Sequence, residues 1–440
     1  MPARPPGETS TASANLARLV TSLSHSERAP ATEIRKLQDQ LFSALSAHHF
    51  EFSPSYRERL LRANIRDGNL KSLRAVSPIR RRDIQDAGEG FAARHVPESH
   101  LPVGRVKTSG STGEPVGLPK TARNSMFWSA FTIRDHAWNH RNFLGRLSAI
   151  RANLSSYVEW NTWGLPVSPL FKTGPAQGIP ITTPVERQAE LIDTFRPDIL
   201  LVYPSNLGAL LDTWSNGGPA HAPHLKHLKT IGETVSPELR TRTREILGLE
   251  IEDNYSSQEA GPIAIQCPEG GLYHIMSEAL IVEILDENDT PCSTGTSGRV
   301  IITDLHNYAA PLVRYDIGDI AEVGPSCTCG RTLPTLKRIL GRERNLVRHR
   351  NGDRHWPLVG FHRFADVAPV QQYQFIQHSL DEIEFRVVVR EPLTPIQQDQ
   401  LIAICSSALG SDFQFRITRF CDWLPKGTNG KFEEFVCRIS

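Results

Sequence analysis

Between Ile179 and Tyr255 the chain alternates with little ambiguity: "IPITT", the helical "ERQAELIDTF", the apolar "DILLVYP", a helix from Asn206 to Trp214, "LKTIGET", the helical "SPELRTRTREILG", and "LEIEDNY". Strands joined through helices need crossover connections, and crossovers make neighbouring strands parallel. The segment therefore predicts an α/β protein with a mainly parallel, layered sheet. After Gly261 the texture changes to turn-separated strands, "ALIVEIL", "SGRVIITDL" and "DIAEV", which predicts an antiparallel subdomain. From about Arg342 the segments "QQYQFIQHS", "EIEFRVVVR", "TPIQQDQLIAICSSAL" and "FQFRITRF" suit a small α+β lid.

Upstream, Leu37, Leu41 and Leu45, then Tyr56, Leu60 and Leu61, recur at helical spacing and predict two amphipathic helices broken near Phe52 to Pro54. The Pro-, Ser- and Thr-rich start buries little. The expected organisation is thus a flexible segment over 1–33, a large domain over 34–340 and a lid over 341–440.

A chain of 440 residues has room for more than one core. With Lys+Arg at 49 against Asp+Glu at 48, the charge gives no reason to expect nucleic acid or a membrane surface, so small-molecule partners are expected. No apolar run reaches membrane-spanning length and no leader pattern opens the chain, which points to a cytoplasmic protein. Seven cysteines, an odd number thinly spread, argue for reduced thiols and a metal rather than a disulfide framework.

The stretch "VKTSGSTGEPVG" places Thr108, Ser109, Gly110, Ser111, Thr112 and Gly113 in one run. Glycine tolerates positive φ and lets backbone N–H groups converge on an anion, so phosphate is the natural ligand. No Gly-Lys-Ser/Thr follows, and the dinucleotide fingerprint is missing, so neither of those two nucleotide motifs applies. Four further segments follow in order: "GETVSPELR", "NYSSQEAG", "RYDIGDIAEV" with "CTCGRTLP" and "RILGRERN", and "LPKGTNGK". Together they resemble the adenylate-forming superfamily, in particular its phenylacetate–CoA ligase branch, from about Tyr56 to Lys431.

The resemblance implies a large adenylate-forming domain with a small C-terminal lid, and it implies roles for named residues. The loop Thr108 to Gly113 would close over the β- and γ-phosphates of ATP. Gly232, Glu233 and Thr234 would lie along the adenine, with Asn254, Tyr255 and Ser256 beside the nucleotide and the Tyr255 ring as a stacking face. Glu259 would hold Mg²⁺. The ribose would take Asp319, with Asp316 in reserve, and Arg342 would contact ribose or phosphate. Lys431 is implied as the catalytic ammonium that pairs the attacking carboxylate with the α-phosphorus.

Cys267, His274, Cys327 and Cys329 could complete a tetrahedral zinc shell of the kind that branch can carry, or could remain four unlinked reduced residues. For the acid, Trp160, Trp163 and Tyr203 could flank an aryl or other apolar group, and Arg151 or Asn153 could receive a polar one. Relatives commonly carry Asp two residues after the hinge arginine, where this chain has Arg344, and the stretch after it, "LVRHRNGDRHWP", is basic and aromatic. Coenzyme A is the default acceptor, with a carrier-protein phosphopantetheine or an amine as alternatives. A non-catalytic nucleotide-binding protein is the competing class.

Overall fold

The computed structural model describes residues 11–107, 117–215, 224–342, 346–355, 364, 367–421, 424 and 432–439. The loop Thr108 to Gly113, the hinge residue Arg344 and Lys431 lie outside the described residues.

The helices that open the chain are α1 (Thr11–Ser26), α2 (Ala31–Phe52) and α3 (Pro54–Arg62), followed by the short α4 (Leu70–Leu73) and α5 (Arg81–Ala87). The expected break at Phe52 to Pro54 is present, since Pro54 cannot donate into α2 and instead starts α3. The reading of residues 1–33 as flexible is corrected: within that stretch Thr11–Ser26 is helical, and its Leu16 and Leu23 lie in the main core. Two leucines seven residues apart share one helix face, a signal too sparse to stand out from a Ser- and Thr-rich composition.

The hairpin β1 (Val103–Lys107) and β2 (Gly117–Thr121) leads into α6 (Ala122–Trp138), which Thr121 caps by accepting from the Asn124 amide. Then follow β3 (Leu147–Arg151), β4 (Val158–Trp160), β5 (Ala176–Pro180), α7 (Val185–Phe195), β6 (Ile199–Val202), α8 (Pro204–Ser215), β7 (His227–Thr230), α9 (Pro237–Leu247) and β8 (Ile251–Ser257). Strands β5, β3, β6, β7 and β8 pair in parallel, as the alternation predicts, and β4 pairs antiparallel at the edge.

The antiparallel strands β9 (Gly261–Gln266), β10 (Tyr273–Ile275), β11 (Leu280–Leu285), β12 (Ser297–Asp304), β13 (Tyr315–Val323) and β14 (Thr335–Arg342) do form. They continue the parallel half edge to edge, giving one sheet of 12 strands among the described residues, in the order β11-β12-β13-β14-β10-β9-β8-β7-β6-β3-β5-β4. Only a short turn separates β8 from β9, so β9 returns alongside β8 instead of starting a new sheet.

A small hairpin, β15 (Val347–Arg348) with β16 (Arg354–His355), precedes the lid sheet of β17 (Gln372–Gln377), β18 (Glu382–Val388), β19 (Gln414–Phe420) and β20 (Phe435–Cys437), ordered β19-β18-β17-β20. The helix Pro395–Leu409 packs Leu401, Cys405 and Leu409 into a core with Phe375, Phe385 and Phe435. That core is separate from the clusters of the large sheet.

Candidate active site

In parallel α/β sheets, ligands bind beyond the carboxyl ends of the strands, where loops diverge and helix N-termini point inward. Several candidate residues stand at that edge: Arg151 closes β3, Tyr203 follows β6, Gly232 to Thr234 follow β7, and Ser256 to Glu259 end or follow β8. The shared edge is a property of the sheet and not of any single motif.

Asp319 sits in β13 directly opposite Arg342 of β14. The Arg342 Nε meets Asp319 Oδ1 at 2.9 Å, and a terminal nitrogen of the same guanidinium donates to the Ile317 carbonyl at 3.1 Å. The Tyr255 hydroxyl donates to Asp319 Oδ2 at 2.6 Å, so both carboxylate oxygens are engaged. Burial, and next the adjacent Asp319 carboxylate, push the Tyr255 hydroxyl well above the ordinary phenol range. Asp319 likewise raises Arg342 and keeps it charged. The reserve residue is occupied elsewhere: Asp316 pairs with Arg299 at 2.8 Å and with Arg80 at 3.3 Å, and it accepts from the Gly318 amide.

Glu259 is buried in the turn between β8 and β9, and among the described residues none hydrogen-bonds or ion-pairs with its carboxylate. Its charge still reaches the site, raising Tyr255, Tyr315 and Arg342. A buried carboxylate left open by the protein suits a hard divalent cation. Gly232, at φ +80°, turns the chain after β7 and aims Glu233 back at α8. There the Glu233 carboxylate accepts from the Ser205 amide at 2.8 Å, from the Ser205 hydroxyl at 3.1 Å, and from the Phe432 amide of the lid at 3.3 Å. Thr234 is exposed and Ser256 half-buried.

Asn254 is fixed from beneath, in the amide orientation that satisfies both partners: its nitrogen donates to the Asp253 carbonyl at 2.8 Å and its oxygen accepts from Lys229 at 3.0 Å. Lys229 pairs with Asp135 of α6, which Arg141 also holds at 2.6 Å. Sequence reasoning missed this buried network. A lysine inside the apolar strand "LKTIGET" was the available signal, because a buried ammonium needs a carboxylate nearby.

The proposed acid-binding residues spread more widely. The Tyr203 hydroxyl accepts from the Ala152 amide at 3.3 Å, close to Arg151, and Asn153 is exposed. Trp160, 44% exposed, lies on edge strand β4 with its ring across Gly178, where an added Cβ would come within 2.7 Å of it. Trp163 donates its indole N–H to the Gly145 carbonyl at 3.0 Å and packs beside Phe143 and His136.

The hairpin that carries Thr108 to Gly113 is anchored at its base. Lys120 of β2 meets Asp304 of β12 at 3.0 Å, and the Asn307 side-chain amide donates to the Pro119 carbonyl at 3.1 Å.

Away from the cleft, Cys267, His274, Cys327 and Cys329 bring one ligand atom each to within 4.8 Å of one another. Cys327 and Cys267 are 3.8 Å apart at sulfur, and Cys329 sulfur is 3.3 Å from His274 Nε2. Three thiols and an imidazole at these separations match the donor set and the edge lengths of a tetrahedral zinc shell. The other imidazole nitrogen meets the Leu333 carbonyl at 3.2 Å, which orients the ring to present Nε2. Arg331 donates to Cys267 sulfur and stacks on Trp138, while Glu27 accepts from the Trp138 indole at 2.8 Å.

Comparison with known proteins bears on the fold and the family. The family model described as AMP-binding enzyme matches residues 25–307. A phenylacetate-coenzyme A ligase of Thermus thermophilus is 27% identical over 385 residues, covering 83% of this chain and 84% of that protein. The phenylacetate-coenzyme A ligase of Escherichia coli is 25% identical over 401 residues, covering 88% and 89%. Among solved structures, 2-hydroxyisobutyryl-CoA ligase in its postadenylation state superposes with a TM-score of 0.73 at 18% identity, covering 94% of this chain and 91% of that one. The same ligase in its thioesterification state gives 0.60 at 19% identity, with the same coverage. With the model matched over well more than half of its length and its residues gathered on one sheet edge, this chain belongs to the AMP-binding enzyme family.

Proposed function

We propose that this protein is an AMP-forming acid–thiol ligase that activates a carboxylic acid with ATP and passes the acyl group to coenzyme A. The observation that carries this is the bonded cluster of Tyr255, Asp319 and Arg342, with the open Glu259 carboxylate near enough to raise Tyr255 and Arg342 and the Gly232 to Thr234 turn leaving the strand that pairs with β8. Asp319 presents an anchored carboxylate to ribose hydroxyls, and Arg342, fixed by that same carboxylate, offers its remaining donors to phosphate. Glu259 would hold Mg²⁺, which on binding neutralises phosphate charge.

A carboxylate oxygen of the acid attacks the α-phosphorus, the bond to the β-phosphate oxygen breaks, and pyrophosphate leaves. Lys431 positions the two anions. In the second step the coenzyme A sulfur attacks the acyl carbon, AMP leaves with the bonding pair, and the thiol proton passes to solvent. Residues 341–440 act as the lid that reorients between the steps. Arg151, Asn153 and Tyr203 are the residues assigned to the acid side; Trp160, opposite Ala176 at the start of β5, and Trp163, bonded to Gly145 ahead of β3, stand towards the amino ends of those strands and do not share that edge. The relatives' names make phenylacetate the first acid to try. The Cys267, His274, Cys327 and Cys329 quartet would hold a zinc ion that is structural, since the four ligands leave no open position.

The test is ATP–pyrophosphate exchange over a panel of phenylacetate, benzoate, 2-hydroxyisobutyrate and acetate, with product analysis in the presence of coenzyme A. Exchange is expected with at least one acid, and Lys431→Ala should lower it by about 10²-fold. No exchange with any acid, or full exchange by Lys431→Ala, overturns the reading.

A further inference from the structure

The lid touches the nucleotide side of the large domain through Glu233. One carboxylate oxygen accepts from the Phe432 backbone amide at 3.3 Å, and Phe432 is the residue after Lys431. The carboxylate is itself held by Ser205, whose amide and hydroxyl donate at 2.8 and 3.1 Å from the first turn of α8, a helix end with N–H groups to spare. On the other side, the lid segment is built into its own sheet: Gln374 donates to the Glu433 carbonyl at 2.9 Å, the Phe375 amide donates to the Glu434 carbonyl at 2.7 Å, and Phe375 stands opposite Phe435. Glu233 therefore grips a rigid piece of lid beside the catalytic loop.

We propose that Glu233 is a positioning residue that latches the lid in the adenylation arrangement by accepting the Phe432 amide, and so fixes Lys431 at the α-phosphate. This rests on the adenylation reading above. The latch is made to let go. It is a single hydrogen bond to a backbone donor, and the neighbouring Glu434 carboxyl, bonded to the Tyr373 hydroxyl at 3.1 Å, lies close enough to Glu233 and Glu238 to feel both charges. Three carboxyl groups gathered at one interface work against it, which keeps the contact weak enough to break when the lid turns. The better superposition on a postadenylation structure than on a thioesterification structure agrees with a lid caught in the first arrangement.

The latch separates the two half-reactions. In Glu233→Ala, the maximal rate of ATP–pyrophosphate exchange, with the panel acid that supports the fastest exchange, should fall about tenfold with the KM for ATP nearly unchanged. Release of AMP from the synthetic acyl adenylate of that acid by coenzyme A should change less than twofold. Glu233→Gln, which keeps an acceptor oxygen, should recover most of the exchange. A readout independent of any acid is amide hydrogen exchange of the full-length protein: the segment containing Phe432 should lose protection in Glu233→Ala and retain it in Glu233→Gln. Unchanged protection in the alanine variant overturns the latch, whatever the activity. A raised KM for ATP with an unchanged maximal rate would overturn it too, making Glu233 a plain nucleotide contact. If the wild type exchanges with no acid, the adenylation reading fails, while the protection measurement still decides whether the contact exists.

Discussion

The Cys/His quartet and the cleft at the carboxyl ends of the parallel strands use the same sheet in opposite ways. At the quartet, the four ligands face one another, and a further layer of Arg331, Glu27 and Trp138 closes around them. At the cleft, Tyr255, Asp319 and Arg342 are tied together, yet Glu259 is buried with no bonded partner among the described residues. The quartet directs its donors at one another, which suits a structural role, whereas the cleft keeps one buried carboxylate unbonded, which suits an incoming cation.

The sharpest way to break this contrast is at Glu259. Glu259→Gln keeps the shape and removes the charge, so exchange should fall about 10²-fold while zinc per chain and thermal midpoint stay as in the wild type. An equal loss of stability would mean that Glu259 is structural after all. Next comes the metal. Cys329→Ser should lower zinc measured by elemental analysis from about one per chain towards zero and lower Tm by about 5–10 °C, with activity per folded molecule kept within about twofold. Near-zero zinc in metal-replete wild type would remove one side of the comparison.

The smallest effect is in pH. The buried His49 accepts from the Ser53 hydroxyl and donates to the Asn307 carbonyl, and burial holds its pKa down at about 3. The unfolded chain takes up this proton near pH 6.5 and the folded chain does not. The stabilisation is therefore complete above pH 6.5 and is lost as pH falls, at about 1.4 kcal/mol per pH unit. Asn307 also holds Pro119, so acid should loosen the cleft before the quartet: exchange should decline by pH 5.5 while zinc stays bound. His49→Gln should flatten the fall in unfolding free energy between pH 6.5 and 5, and an unchanged slope would assign it to other buried histidines.

Much of this was legible in the chain. The alternation from Ile179 to Tyr255 contains the parallel sheet, because crossover helices leave no other arrangement. The quartet was legible by residue type, thiols and an imidazole being scarce and chemically distinctive. The resemblance favoured Asp319 because it follows Tyr315 by four residues. What the chain did not reveal is that Arg80 and Arg299 come from remote segments to occupy Asp316. Strand periodicity likewise says that β9 to β14 are strands and says nothing about which edge they extend. The network from Asp135 through Lys229 to Asn254 was hidden because a lone lysine in a strand does not name its partner.

The docking of α1 into the main core has a bearing on how the protein is made. The Thr332 amide donates to the Glu27 carbonyl at 2.9 Å, joining the end of the first helix to a turn some three hundred residues later. At a ribosomal pace of roughly 5–20 residues per second, α6, on which that helix packs, follows within about 5–20 s, whereas the turn that ties its end emerges on the order of 15–60 s later. During that interval Leu16 and Leu23 can rest on the α6 side of their core while the far side of it is still to be made.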